Sequence, residues 1–252
     1  MKKAFIITSA IEVDNNFPLT YSDKRSYFNN EERLRQTIMS IAFVDRLRDD
    51  ITIYLLDTSR DWTKFRDLFR YQRNLKFVSV AEEFPDIHEK VTTHPNKSYC
   101  ECLMMSHFLK KYKMEFMQYD FVFKLSGRYF LDGSFDIGIC SEENSNKIFY
   151  KRPLEFEWRD EWNYNLVDRR KEQSTNTLRQ YVSILFGWTK PHYDHFLDMF
   201  TGMACLLNQP SYSHLDIETL GYYFTRPFEQ DIIENEWIVY GWDGASGKFW
   251  RY

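Results

Sequence analysis

Glycine is scarce in this 252-residue chain, with 9 residues where an average composition of about 7% would give roughly twice as many. That shortage argues against glycine-rich phosphate loops and β-helical repeats. No G-x-G-x-x-G occurs, so a dinucleotide-binding dehydrogenase has no support. No G-x-S-x-G occurs either, which removes the usual nucleophile elbow of α/β-hydrolases. The cluster Gly241 to Lys248 has the wrong spacing for a P-loop, and Phe249 stands where Ser or Thr belongs. Cysteine is equally sparse. Cys100, Cys102, Cys140 and Cys205 form no C-x-x-C pair and are too scattered to staple a chain of this size, which predicts reduced thiols and a cytoplasmic protein.

Excess charge of one sign is lacking too. Thirty-three basic and 37 acidic residues leave a net charge of -4, so no global positive field draws in nucleic acid, and any anionic ligand must be met locally. Apolar runs are short. Nothing approaches the ~20 consecutive apolar residues that cross a bilayer, so membrane contact, if the chain makes any, is peripheral. The run after the first lysines spans Ala4 to Ile11 and meets no small-residue cleavage pattern, which predicts a buried first strand rather than a leader.

Aromatic residues are plentiful, with 22 Phe, 17 Tyr and 7 Trp, and hydrophobic residues make up 43% of the chain. At this length such a composition supplies a large core. AFIITSAI (4–11), ITIYLLD (51–57), LKFVSV (75–80) and YDFVFKL (119–125) read as strands buried on both faces. Helical spacing appears from Glu31 to Leu47 through Leu34, Ile38, Ile41 and Leu47, with Asn29 and Glu32 placed as a capping box. A second helical stripe runs through Cys102, Met105, Leu109 and Tyr112, and a shorter helix is expected between Trp62 and Tyr71. KIFYKR (147–152) and SILFGW (183–188) are further strands, and HFLDMFTGMACLL and DIETLGYYF further helices. Residues 153–178 show no steady period. They hold Trp158, Trp162 and Tyr164 among many charges, which predicts an irregular loop or lid.

Strands alternating with helices imply an α/β fold, a Rossmann-type, mostly parallel sheet flanked by helices, in a single domain over 1–252. Ligands of such sheets sit beyond the carboxyl ends of the strands. Three strand ends are therefore site candidates: Thr8, Ser9 and Ala10; Asp57 with Thr58 and Ser59; and Lys124 through Tyr129. The last is the most informative. Ser126, Gly127 and Arg128 follow a buried strand, which would set two backbone amides, a hydroxyl and a guanidinium at the sheet edge beside Lys124. That combination suits a diphosphate, because Arg offers a planar donor fork to phosphate oxygens. The alternative is an ordinary tight turn with a salt-bridged arginine.

Other groups are read more plainly. Lys97 and Glu101 have the i,i+4 spacing of a surface ion pair, with a role facing a bound donor as the less favoured alternative. His192, His195 and Asp198 could share a helix face but are a weak metal signal beside an ordinary surface helix. Asp216 and Glu218, after His214, open a late helix, where acids are favoured by the helix dipole. Trp188 and Trp242, like Trp158, Trp162 and Tyr164, lie in polar surroundings, where rings can stack on sugars or bury their bulk.

The order of elements, the first strand ending in Thr-Ser-Ala, a helix carrying Arg33 in ERLRQTIMSI, and KLSGRYFLD after the central strand resemble nucleotide-sugar glycosyltransferases of the GT-A fold. The bacterial and viral enzymes that build surface polysaccharides look most similar. The resemblance implies a GT-A-like fold, a nucleotide-sugar donor held by residues 1–130, and a glycan or glycolipid acceptor met by residues 131–252. It implies a cytoplasmic location, at the inner face of a membrane if the contact is peripheral. Donor binding would fall to Thr8, Ser9, Ala10, Arg33, Asp57, Lys124, Ser126, Gly127 and Arg128. Asp216, with Glu218 second, would be the base that takes the proton of the acceptor hydroxyl. Family members typically carry Asp-x-Asp at the end of the central strand to hold a divalent metal, whereas this chain has Ser126-Gly127-Arg128. The departure implies metal-independent transfer, with Arg128 and Lys124 neutralising the leaving diphosphate. A non-catalytic carbohydrate or protein interaction module on the same fold is the competing expectation. A nucleotidyltransferase is a third, although it usually needs acidic metal ligands and a richer glycine loop.

Overall fold

The structure, a computed structural model, describes residues 1–47, 50–69, 72, 74–157, 177–213, 215–244 and 246–252. Trp158, Trp162, Tyr164 and His214 lie outside the described residues.

In chain order the elements begin with β1 (Lys3–Ser9), α1 (Asn30–Asp45), β2 (Ile51–Asp57), α2 (Thr63–Phe69), β3 (Leu75–Ser79), α3 (Val80–Glu83), α4 (Pro85–Thr93), α5 (Lys97–Phe116) and β4 (Phe121–Ser126). β5 (Tyr129–Leu131), β6 (Ile148–Lys151), β7 (Leu154–Glu157), β8 (Thr177–Gln180), β9 (Leu185–Thr189), α6 (Tyr193–Leu207), α7 (Ile217–Thr225), β10 (Ile232–Asn235), β11 (Val239–Trp242) and β12 (Phe249–Arg251) follow.

Seven strands form the main sheet in the order β10-β6-β9-β4-β1-β2-β3. β3, β2, β1 and β4 are mutually parallel, β6 and β10 are parallel to each other, and β9 runs antiparallel between β4 and β6. The sheet is thus mostly parallel and flanked by helices, the class the alternating pattern predicts. The sense of β9 is the correction: SILFGW reads as one more strand, and only its neighbours reveal that it enters reversed. Gly187 makes that pairing close, since a Cβ there would stand 2.4 Å from a ring carbon of Phe123. The ends of the stretch expected to be irregular pair as an antiparallel ribbon, β7 with β8.

The strands are apolar on both faces because both are covered. Ala4 and Ile6 of β1 join Tyr54, Leu56, Val122 and the α5 side chains Met105, Phe108 and Leu109 in one core layer. Phe5 and Ile7 face the other way, onto Ile53, Leu55, Phe123, Ile41 and Val44. α5 buries the predicted Cys102, Met105 and Leu109. α1 starts as predicted, with reciprocal capping between Asn29 and Glu32. Its buried face is not the predicted apolar stripe, however. Ile38 is 40% exposed, while Arg33, Gln36, Thr37 and Ser40 are buried with Ile41 and Val44. Hydrogen bonds make this possible: Ser40 donates to the Tyr129 carbonyl at 2.6 Å, and Thr37 meets Ser9 at 2.9 Å. A helix with a polar buried face packs where strand ends leave backbone groups to satisfy, and that places α1 against the carboxyl edge.

A small antiparallel sheet, β12-β11-β5, extends beyond β4. None of the four cysteines forms a disulfide; Cys100, Cys102 and Cys140 are buried and Cys205 is exposed. Among the described residues no helix is long and apolar enough to cross a membrane.

Candidate functional site

The parallel register brings the three predicted strand ends together. Ser9 pairs with Asp57 and Thr8 with Ser126, so β1, β2 and β4 stop at one level. Crossover helices run back against such strands, so α1 and α5 begin at this same edge. Between them lies a cavity of about 480 Å³. Thr8, Ser9, Ala10, Arg33, Ser126 and Arg128 line it, as do Thr58 of the second strand end and Arg25, Lys97 and Glu101.

Three other predicted residues stand behind the wall. Asp57 is fully buried and accepts from the amides of Ile11 at 3.0 Å and Ser59 at 2.8 Å, so its carboxylate organises the loops after β1 and β2. Lys124 is also fully buried. It forms an ion pair with Glu101 and donates to Ser126 Oγ at 2.9 Å and the Ser183 carbonyl at 2.7 Å. Gly127 donates its amide to the Thr8 carbonyl at 2.8 Å, and the Ser126 amide donates to the Ile184 carbonyl at 2.9 Å. The two amides expected to cradle a diphosphate are therefore spent on holding β4 to its neighbours. Gly127 has a packing reason instead: a Cβ would stand 2.9 Å from the Thr8 carbonyl oxygen.

The cations on the wall differ in how far they are committed. Arg25 lies between β1 and α1 and donates to the carbonyls of His94 at 2.9 Å and Val91 at 3.1 Å, fastening its loop to the end of α4. Arg33 is buried, bonded through Nε to the Ala10 carbonyl and through Nη1 to Ser26 Oγ at 2.9 Å. Burial and the nearby Arg128 pull its pKa down to about 9. Arg128 donates from Nε to the Trp242 carbonyl at 3.2 Å. Lys97, the first residue of α5, is partly buried and has no hydrogen-bond or ion-pair partner among the described residues. Burial first, then Arg128 and Arg33, lowers its amine to about 7. None of the four is ion-paired to a described carboxylate. The predicted surface pair of Lys97 with Glu101 is thus not formed, because Lys124 reaches Glu101 from β4 and claims it.

The late acids lie beside this crevice, and neither is on the cavity wall. Asp216 caps α7, accepting from the Thr219 amide at 2.7 Å and from Gln180 Nε2 at 3.1 Å. Glu218 accepts a hydrogen bond from Ser183, the residue whose carbonyl holds Lys124. Burial and the neighbouring Asp216 raise its carboxyl to about 7. The fields of Arg128, Asp243 and Glu218 all reach the hydroxyls of Tyr21 and Tyr252, which puts Glu218 and Arg128 in one neighbourhood. A route of direct contacts leads from the cavity through Glu101, Lys124 and Ser183 to Glu218.

Among the described residues no three His, Cys, Asp or Glu side chains are grouped to hold a metal. His192 stands 3.7 Å from Asp231, and His195 packs its ring on Phe228. Sequence reasoning missed Arg25 and favoured the surface pair for Lys97 over its ligand-facing alternative: a lone arginine in a loop has no pattern, and the i,i+4 rule knows nothing of a lysine arriving from another strand.

Fold and site together define an α/β protein with a cation-walled crevice at the carboxyl edge of a mostly parallel sheet. No family model and no curated protein matches the chain. Among solved structures it resembles the galactosyltransferase LgtC, in complex with donor and acceptor sugar analogues, at 11% identity and a TM-score of 0.46, over 93% of this chain and 73% of that one. At that identity and overlap the likeness assigns no role to any residue of this chain.

Proposed function

We propose that this chain is a glycosyltransferase that moves a sugar from a nucleotide-sugar donor to a glycan or glycolipid acceptor without a divalent metal. The observation that carries the reading is the crevice itself: five cations on its wall, Arg25, Arg33, Arg60, Lys97 and Arg128, have no carboxylate ion pair among the described residues, while of the three wall acids, Glu12, Asp14 and Glu101, the first and last are paired with Lys64 and Lys124. Uncompensated positive charge in a partly dry cleft is costly, and a bound polyanion removes the cost. A diphosphate has the charge and the oxygens for this. Arg128 and Lys97 are its principal partners, Arg33 adds a fixed charge, and Arg25 holds the loop that covers them.

The chemistry then follows from the two sides of the crevice. Bond breaking at the sugar's anomeric carbon leaves its electron pair on the diphosphate oxygen, where Arg128 and Lys97 stabilise it. The acceptor hydroxyl attacks that carbon and gives its proton to a carboxylate. Glu218 suits this role better than Asp216, since both oxygens of Asp216 accept hydrogen bonds, while a carboxyl titrating near neutrality is a better general base than an ordinary one. The donor half is residues 1–130 and the acceptor half 131–252. An amphipathic acceptor, and a peripheral membrane contact at the cytoplasmic face, are supported by the aromatic outer face of β5, β11 and β12. There Phe130, Tyr240, Trp242 and the 53%-exposed Phe249 lie together, with Arg251 over the Tyr240 ring.

The experiment is a thermal-shift screen against nucleotide sugars with a chelator present, followed by a transfer assay in the same buffer. Selective stabilisation by one donor, as a ligand of the native state alone must give, and turnover with the chelator are expected. Stabilisation without turnover would favour the non-catalytic module. Turnover that needs manganese or magnesium would show that a metal takes part.

A further inference from the structure

Lys97 is an amine placed where the surroundings resist a positive charge. Arg128 approaches from the turn between β4 and β5, Arg33 from α1 and Arg25 from the loop before it. Asp243, between β11 and β12, is the acid whose field favours the ammonium, and its carboxylate accepts from the Ser246 amide at 3.0 Å. Glu101, one turn along the same helix, is held by Lys124. His88 of α4, on the same wall, is turned to the Thr58 carbonyl at 2.9 Å. Lys97 itself makes no hydrogen bond to a described residue, and it begins a 20-residue helix, whose dipole end is positive. Burial, the three guanidiniums and the helix start favour the neutral amine while the crevice is empty, and they outweigh the field of Asp243. Each reverses in consequence when a diphosphate enters, because the ligand's negative charge outweighs the surrounding cations.

We propose that Lys97 is a proton-coupled donor-binding residue: it takes up one proton from solution as the diphosphate binds, and holds it as an ammonium against the leaving group during transfer. This rests on the glycosyltransferase reading and adds to it a linkage between donor binding and protonation. The balance is simple. On binding, Lys97 gains a proton from the buffer. During transfer the bond from the anomeric carbon to the diphosphate breaks and that from the same carbon to the acceptor oxygen forms, with the acceptor proton passing to Glu218. When the nucleoside diphosphate departs, Lys97 returns its proton to solvent. Lys97 thus makes the site cationic on demand, so the empty pocket carries less self-repulsion.

The test is calorimetric titration with UDP, GDP, CDP and ADP at pH 8, in two buffers of different ionisation enthalpy. At that pH the free nucleotides are fully ionised, so uptake reports on the protein. For whichever nucleotide binds, wild type should take up about one proton, and its affinity should fall roughly tenfold per pH unit above neutrality. Lys97→Met should bind more weakly with no proton uptake. Lys97→Arg, which is always charged, should restore binding with a flat pH profile and no uptake. Binding by wild type without buffer-dependent heat would overturn this inference and leave the glycosyltransferase reading standing, as would uptake that persists in Lys97→Met. Failure of all four nucleotides to bind would overturn both. Melting curves of the variants establish that they are folded.

Discussion

The wall of the crevice and the layer behind it treat charge in opposite ways. On the side built from α1, the start of α5 and the β4–β5 turn, Lys97 meets mainly other cations and Arg128 meets a backbone carbonyl. On the side around α7, Lys124 is paired with Glu101, Glu218 with Ser183, and Asp216 with Thr219 and Gln180. Two lysines make the contrast sharp. Lys124 is the more deeply buried, yet its pairing and hydrogen bonds complete it, while Lys97, nearer the surface, lacks a partner among the described residues. Burial alone therefore does not mark a ligand contact; unmet charge beside a cavity does. Satisfied charges position the neighbours, and in the proposed reading the unsatisfied ones meet the ligand.

Removing a group from each side separates binding from chemistry. Glu218→Gln keeps shape and polarity but removes the proton acceptor, so turnover should fall by ~100- to 10,000-fold, with donor affinity nearly unchanged, as single-turnover rates and donor titrations would show. A base must be deprotonated to act. The wild-type rate should therefore rise as pH increases through about 7, where Glu218 titrates, and that rise should vanish in the variant. Should Glu101→Gln alone give this pattern, the base is the carboxylate on the cavity wall, and the α7 side only positions it.

Asp216 tests the opposite role. Asp216→Ala removes the helix cap and should lower stability by roughly 0.5–2 kcal/mol, read as a lower denaturant midpoint. Asp216→Asn retains a good capping side chain and should leave both stability and turnover close to wild type. A large loss of turnover in a stable Asp216→Asn protein would return the base to Asp216.

Much of this fold could be read before the structure was seen. β2 spans the predicted Ile51 to Asp57, the capping box of α1 is present, and the convergence of Thr8, Asp57 and Ser126 follows from parallel strands alone. These features are local, or follow from one topological rule. What escaped depends on contacts between distant segments. β9 was recognisable as a strand, but its direction is set by β4 and β6. The buried polar face of α1 runs against the periodicity rule, because strand ends and the Tyr129 carbonyl offer hydrogen bonds that no pattern records. Asp57 was legible as a polar strand end, yet its carboxylate serves the Ile11 and Ser59 amides rather than the cavity. Lys97 carried a pattern that pointed to the wrong partner.

The central claim is that the unpaired cations at the strand ends hold a diphosphate without a metal. Its most direct test is the affinity of wild type and Arg128→Ala for a panel of nucleoside diphosphates, measured in a chelator. Wild type should bind at least one. The folded variant should bind it more weakly by roughly 1.5 to 3 kcal/mol, the worth of a charge-assisted hydrogen bond, which is about 10- to 150-fold in Kd. Equal affinity of the two proteins would contradict the account.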